Sequence, residues 1–224
     1  QPRFERENGV TVRATFGAVG ALRDALRAGA PCDVLIVSDT MIEALAASGA
    51  VRTGSRSPIG RVATAIAVPA GAPLPAIDSG EALKATLLAA SALYFPDATL
   101  STAGAHVASL LDRLAIREQL APRLRMFANG ATAMRALADA GDAHALGCTQ
   151  ATEIRATPGL ALVGALPPPF DLATVYSAAV AATTPSDDAA RRFIALIAGA
   201  ASKDLREAGG FDAGFASAWQ SGSS

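Results

Sequence analysis

Val34-Leu35-Ile36-Val37, followed directly by Ser38-Asp39-Thr40, is the stretch of this chain that decides the fold. The run of four apolar residues predicts a strand that is covered on both faces. The polar residues after it are of the types that begin helices, and we expect Asp39 or Thr40 to cap the helix that follows. Glu43 lies three residues after Thr40, which is the spacing of a capping box.

The same change from strand to helix recurs along the chain. Apolar runs at 92–95, 124–127 and 146–148 each lead into Ser, Thr, Asn or Gly residues, and the segment 16–20 opens a further helix. Strands that alternate with helices are typical of βαβ units and parallel sheets. The sequence therefore predicts an α/β fold with mainly parallel sheets.

Helix starts that follow strands are suited to binding anions. The first backbone N–H groups of a helix have no partner within it, and the helix dipole adds partial positive charge there. Several such starts at one place would hold a small anion without a covalent step. Candidate acids and bases, namely Asp39, Glu153, His106 and His144, are scattered along the sequence. We expect a binding protein rather than an enzyme, with no catalytic residue, no metal and no cofactor.

The composition excludes several other classes of protein. The 224 residues are 51% hydrophobic and 17% charged, with a formal net charge of −1 and scattered basic residues, so nucleic acid is not an expected partner. No stretch approaches the roughly 20 uninterrupted apolar residues of a membrane-spanning helix. Cys32 and Cys148 lie far apart in the sequence, and we expect each to be a buried apolar residue.

Five stretches of the chain, in order, resemble motifs of one protein family. They are Phe16-Gly17-Ala18-Val19-Gly20-Ala21-Leu22, Gly29-Ala30-Pro31-Cys32-Asp33-Val34, Ser101-Thr102-Ala103-Gly104, Gly141-Asp142-Ala143 with Leu146-Gly147, and Thr174-Val175-Tyr176 with Ala189-Ala190-Arg191-Arg192-Phe193-Ile194. Through them the chain resembles the type II periplasmic solute-binding proteins of ABC transporters, in the branch that includes molybdate-binding proteins. The segment 147–154 is similar to a divergent sub-branch whose members need not bind molybdate.

The resemblance implies a two-lobed clamp that closes on a small anionic solute and delivers it to a membrane permease. Lobe 1 would comprise residues 1–68 and 174–224 and lobe 2 residues 69–173, with hinges near 67–70 and 172–176. The resemblance also implies a monomer that resides in the periplasm or elsewhere outside the cytoplasm. The family's first strand and first binding loop would precede Phe4, so we expect that strand to be missing from the chain.

The same resemblance implies which residues bind the ligand. In lobe 1 they are Gly17, Ala18, Val19, Gly20, Ser38, Asp39 and Tyr176. In lobe 2 they are Ser101, Thr102, Ala103, Ala131, Thr132 and Gln150. Two of these positions depart from the molybdate binders, which have a serine in place of Val19 and a tyrosine in place of Gln150. Because valine has no side-chain donor, these two departures favour a small carboxylate or another polar metabolite over molybdate.

Each of these positions also has an ordinary structural explanation. Ser, Thr, Asp and Asn are common helix caps, and glycine-rich turns pack strands against helices. Arg52, Arg56 and Arg61 form a basic cluster that would either neutralise an anionic ligand or form a solvated edge. Two other functions fit the same fold, namely a ligand-sensing domain of a transcription regulator and an enzyme on the same clamp.

Overall fold

A computed structural model describes residues 2–212 of the chain. These residues form two compact units. The first comprises residues 2–60, 175–207 and 212, and the second comprises residues 61–174 and 208–211. The final part of the expected lobe 1, residues 213–224, lies outside the described residues.

Helices and strands alternate along most of the described chain. The helices are α1 (Pro2–Asn8), α2 (Val19–Arg27), α3 (Asp39–Ala47), α4 (Gly80–Ala89), α5 (Thr102–Arg113), α6 (Arg117–Leu120), α7 (Gly130–Asp139), α8 (Ala151–Arg155), α9 (Asp187–Ala198) and α10 (Lys203–Ala208). The strands are β1 (Val34–Ser38), β2 (Ser57–Pro69), β3 (Leu93–Pro96), β4 (Leu124–Phe127), β5 (Leu146–Gln150), β6 (Leu160–Ala165) and β7 (Ala173–Val180). None of the helices within residues 2–212 has the length and apolar character needed to cross a bilayer.

The first unit is built on strands β1 and β7. They pair antiparallel, from Val34 opposite Val180 to Ser38 opposite Tyr176. One apolar cluster joins these strands to α2 and α3, and it comprises Leu35, Val37, Ile42, Leu45, Val51 and Ala179, with Val19, Leu22 and Leu26 packed against it. Because the three α2 residues lie on one face of an amphipathic helix, that face holds α2 against the unit.

β3 is the central strand of the parallel set in the second unit. It runs parallel to β4 on one side and to β5 on the other, while β2 pairs antiparallel with both β5 and β6. The core joins β2, β3 and β5 to α4 and α5, and it includes Ile66, Leu83, Leu87, Leu93, Phe95, Val107, Leu110, Leu111, Leu146 and Cys148. This core fixes the direction of β3 and hence the edge at which the parallel strands end.

The α/β fold expected from the alternation of strands and helices is confirmed. Parallel pairing forms the set β4-β3-β5 of the second unit. The antiparallel pairs are made by β2 and β7, the two strands that begin in one unit and end in the other. Cys148 is buried as expected, whereas Cys32 is only partly buried.

The start of α3 differs from the expectation. The helix begins at Asp39, and its N-cap residue Ser38 makes no side-chain hydrogen bond to the first turn. Asp39 instead accepts two hydrogen bonds from Arg56, and Glu43 pairs with the same guanidinium at 2.8 Å. The predicted capping box of Thr40 and Glu43 is therefore wrong, because Thr40 lies inside the first turn of the helix and is not its N-cap residue.

Gly104 lies in the first turn of α5, where the helix packs against the end of β3. A Cβ atom at Gly104 would lie 2.3 Å from the backbone oxygen of Asp97 and 2.4 Å from that of Pro96. Since backbone atoms cannot rotate away, we expect Gly104→Ala to lower the free energy of unfolding by about 3 kcal/mol. Alanine in a helix would otherwise raise it by about 1 kcal/mol. Urea unfolding followed by circular dichroism measures the difference.

The matched control for this substitution is Gly164→Ala in β6. A Cβ atom at Gly164 would make an ordinary contact of 3.5 Å with the side chain of Ile77. The control should therefore change the free energy of unfolding by less than about 1 kcal/mol. Equal losses in the two variants would contradict the packing argument.

Candidate functional site

Three helices of the second unit begin at one edge of its sheet. β5, β3 and β4 are parallel neighbours, so their carboxyl ends lie at the same edge, and α8, α5 and α7 follow those ends. The side chain of Ser101 accepts a hydrogen bond from the amide of Gly104 at 3.4 Å, and that of Asn129 accepts one from Thr132 at 2.9 Å. These two bonds fix the starts of α5 and α7.

The first-turn amides of α5 remain suited to a ligand. Thr102 and Ala103 are the first two residues of α5, and helix geometry gives their N–H groups no acceptor within the helix. Ala103 is buried, whereas Thr102 is exposed. The start of α5 can therefore offer backbone donors beside the Ser101 hydroxyl.

A carboxylate of the protein itself occupies the start of α7. The carboxyl of Glu153 accepts a hydrogen bond from the hydroxyl of Thr149 at 2.5 Å, and the backbone groups of Ala131 and Gln150 favour its charged form. Gly130 makes room for this group, since a Cβ atom there would lie 1.9 Å from the Glu153 Oε2 atom. Burial raises the pKa of Glu153, and the hydrogen bonds it accepts oppose that rise. The start of α7, predicted to bind a ligand through Ala131 and Thr132, thus already holds a carboxyl group of the protein itself.

Gln150 ends β5 and is the N-cap residue of α8. Its side chain is 5% exposed, and its Nε2 atom donates to the Thr174 hydroxyl at 3.3 Å. The Gln150 Oε1 atom has no hydrogen-bond partner among the described residues, and the same is true of the buried Thr64 hydroxyl. This end of β5 therefore holds two buried oxygens with unused hydrogen-bonding capacity.

In the first unit, the glycine-rich segment leads into α2. Gly17 is exposed, and Ala18, Val19 and Gly20 are partly buried. Ala18 is the N-cap residue and makes no side-chain hydrogen bond, so the amides of Val19 and Gly20 keep their donor capacity. The Val19 side chain packs against the apolar cluster of the unit. Backbone amides, rather than side chains, are the polar groups that this segment offers.

The end of β1 holds Ser38 and Asp39, both buried. Asp39 pairs with Arg56 and accepts a further hydrogen bond from Ser177, while Ser38 lies opposite Tyr176 in the strand pair. The hydrogen bond to Asp39 raises the pKa of Arg56. Arg56 is therefore paired with acidic side chains of the protein. Neither interpretation of the basic cluster, as a ligand-neutralising group or as a solvated edge, included these ion pairs.

The predicted ligand residues fall into the two units as follows. The second unit contains Ser101, Thr102, Ala103, Ala131, Thr132 and Gln150, and the first contains Gly17, Ala18, Val19, Gly20, Ser38, Asp39 and Tyr176. Their role in binding stays a prediction. Sequence reasoning missed Thr64, Thr149 and Thr174, since a threonine within a strand carries no local signal of function. Among residues 2–212 no group of three or more His, Cys, Asp or Glu side chains could hold a metal ion.

Comparison with protein families gives one match over residues 1–212, to the model described as bacterial extracellular solute-binding protein. This chain belongs to that family. The resemblance to solute-binding proteins of ABC transporters, drawn from five short motifs, is thereby confirmed.

The names of sequence relatives and of structural neighbours refer to different small molecules. A relative named aconitate isomerase, from Pseudomonas sp., is 32% identical over an alignment of 213 residues that covers 92% of this chain and 78% of the relative. The periplasmic molybdate-binding protein of Azotobacter vinelandii has a TM-score of 0.74 and 18% identity, with 94% of this chain and 91% of that one covered. The sulfate-binding protein SubI of Mycobacterium tuberculosis has a TM-score of 0.72 and 20% identity, with 97% and 83% covered.

The buried carboxyl of Glu153 predicts a pH dependence of stability. Because its pKa is raised in the folded protein, folding favours the protonated form. Protonated Glu153 therefore makes its full contribution to the free energy of unfolding below the ordinary carboxyl pKa. This contribution is lost as the pH rises through the raised pKa of the folded protein. The Glu153→Gln variant, which cannot ionise, should therefore gain stability relative to wild type as the pH rises above the ordinary carboxyl pKa.

Thermal unfolding of both proteins over a series of pH values measures the effect. Asp97→Asn is the control, because hydrogen bonds from Thr99 lower the pKa of the partly exposed Asp97, which reverses the sign of its contribution. A difference between wild type and Glu153→Gln that does not change with pH would contradict the assignment.

Proposed function

We propose that this solute-binding protein captures a small carboxylate anion outside the cytoplasm and delivers it to the permease of an ABC importer. The family match over residues 1–212 is the observation that carries solute binding. The permease is then the membrane partner, and the protein acts as a monomer without cofactor.

An anionic ligand is supported by the backbone donors at helix starts. The start of α2 has no side-chain cap, and α5 adds the amides of Thr102 and Ala103 beside the Ser101 hydroxyl. Uncapped helix starts bind anions through their N–H groups and the helix dipole. The names of structural neighbours, which refer to molybdate and sulfate, agree with an anion.

A carboxylate is favoured over a tetrahedral oxyanion by the loss of donors. Val19 has no hydroxyl and its side chain packs on apolar residues. The Glu153 carboxyl already lies at the start of α7, so this helix start offers less room and fewer free donors to a compact tetrahedral anion. The relative named for aconitate, a tricarboxylate, points in the same direction.

The proposal predicts that a Gly20→Pro substitution weakens binding without unfolding the protein. Proline is tolerated in the first turn of a helix, but it removes the N–H group that would bind the anion. Gly20→Ala is the control because it keeps this N–H group. A thermal-shift panel with citrate, tricarballylate, malate, succinate, molybdate, tungstate and sulfate measures binding.

At about a thousand times its dissociation constant, a ligand stabilises the folded protein by roughly 4 kcal/mol. We expect at least one carboxylate to raise the unfolding temperature of wild type and of Gly20→Ala. The affinity of Gly20→Pro for the same carboxylate should be at least tenfold lower. A shift confined to molybdate, tungstate or sulfate would overturn the carboxylate assignment. Unchanged affinity in Gly20→Pro would remove the α2 amides from the site.

A second candidate function is isomerisation of an unsaturated carboxylate. It is favoured by the name of the Pseudomonas relative and by Glu153, because a buried carboxyl group with a raised pKa can take and return a proton. Such a reaction removes a proton from one carbon and returns one to another while the double bond moves between them. Proton NMR of aconitate with the protein in D₂O would detect a changed isomer ratio and deuterium uptake. Conversion by wild type but not by Glu153→Gln would support this function.

A further inference from the structure

Two buried oxygens at the end of β5 have no hydrogen-bond partner among the described residues. They are the Oε1 atom of Gln150 and the Oγ1 atom of Thr64. Gln150 is 5% exposed and Thr64 is fully buried. Leaving a buried polar group without a partner is costly, and most such groups in folded proteins are paired. Two of them together therefore indicate a place where another molecule supplies the missing partner.

The strand register places the two residues side by side. Thr64 of β2 lies directly opposite Gln150 of β5 in the antiparallel pair. Side chains of directly opposed residues project from the same face of the sheet, with Cβ atoms roughly 5 Å apart. Thr149 precedes Gln150 and points to the other face, where it bonds to Glu153. The Thr64 and Gln150 side chains are thus separate from the Glu153 hydrogen bonds.

The hydrogen-bonding groups of Thr64 and Gln150 differ from those of a helix start, which offers only donors. The Gln150 Nε2 atom is already used as a donor to Thr174, so the free atom of the amide is an acceptor. The Thr64 hydroxyl can accept or donate. A bare carboxylate or a tetrahedral oxyanion offers acceptors alone and leaves the Gln150 oxygen unpaired. A ligand with a hydroxyl group supplies the donor that this oxygen needs.

We propose that Thr64 and Gln150 form a hydroxyl-binding subsite that selects hydroxycarboxylates over carboxylates of the same skeleton without the hydroxyl group. The ligand hydroxyl donates to Gln150 Oε1 and accepts from the Thr64 hydroxyl. This inference rests on the proposed function, since it names the class of carboxylate that the protein prefers.

The experiment compares two pairs of ligands by isothermal titration calorimetry. Citrate and tricarballylate differ by one hydroxyl group, and so do malate and succinate. We expect wild type to bind the hydroxylated member of at least one pair about tenfold more tightly, since a buried hydrogen bond is gained and no polar group is left unpaired. In Thr64→Val and in Gln150→Met the ratio should fall to about one.

Thermal unfolding without ligand provides a second measurement. Thr64→Val removes an unpartnered buried hydroxyl at nearly constant volume, so the unliganded variant should be at least as stable as wild type. Thr86→Val is the matched control, because the Thr86 hydroxyl bonds to the backbone oxygen of Ala76 at 2.7 Å in an exposed part of α4. Thr86→Val should lose a little stability and keep the wild-type ratio of affinities for the hydroxylated and unhydroxylated ligands.

The outcomes separate the two proposals. Binding of carboxylates with equal affinity for both members of each pair overturns the hydroxyl subsite and leaves the proposed function standing. A ratio that persists in Thr64→Val and Gln150→Met also overturns the subsite. The absence of binding by all four carboxylates overturns the proposed function, and the subsite with it.

Discussion

The parallel alignment of β5, β3 and β4 is the constraint on which the candidate site of the second unit depends. Because the three strands run in one direction, their carboxyl ends share an edge, and the helices that follow begin there. Close packing keeps those helices in place. A Cβ atom at Gly147 in β5 would lie 2.6 Å from the Met134 side chain of α7. Small residues at such contacts let helix and sheet approach more closely than larger residues permit.

The polar groups at this edge are a mixture of donors and acceptors, which distinguishes it from a simple anion site. The Ser101 hydroxyl and the α5 amides can donate, whereas Glu153 and the Gln150 oxygen accept. An internal carboxylate beside helix starts offsets part of their positive potential. A ligand matched to this edge carries acceptors for some groups and a donor for another, as a hydroxycarboxylate does.

Much of the fold followed from local sequence patterns. The apolar run 34–37 is the body of β1, and 124–127 coincides with β4. Helix starts after these strands were expected from Ser, Thr, Asn and Gly residues, and Asn129 does cap α7. The capping box at Thr40 failed because the helix begins one residue earlier, at Asp39, and Asp39 and Glu43 both pair with Arg56. Local spacing identifies a possible cap, but a distant cation competes for the same side chain.

The sequence by itself determined the alternation of strands and helices and the membership in a solute-binding family, since both depend on short motifs in order along the chain. Only the tertiary structure decided which polar side chains meet. Ser177 reaches Asp39 across 138 positions, and Thr64 lies opposite Gln150 through strand register. The physical reason is that register and long-range packing are fixed by the burial of whole strands and helices. The hydrogen-bonding state of each buried side chain follows from that burial.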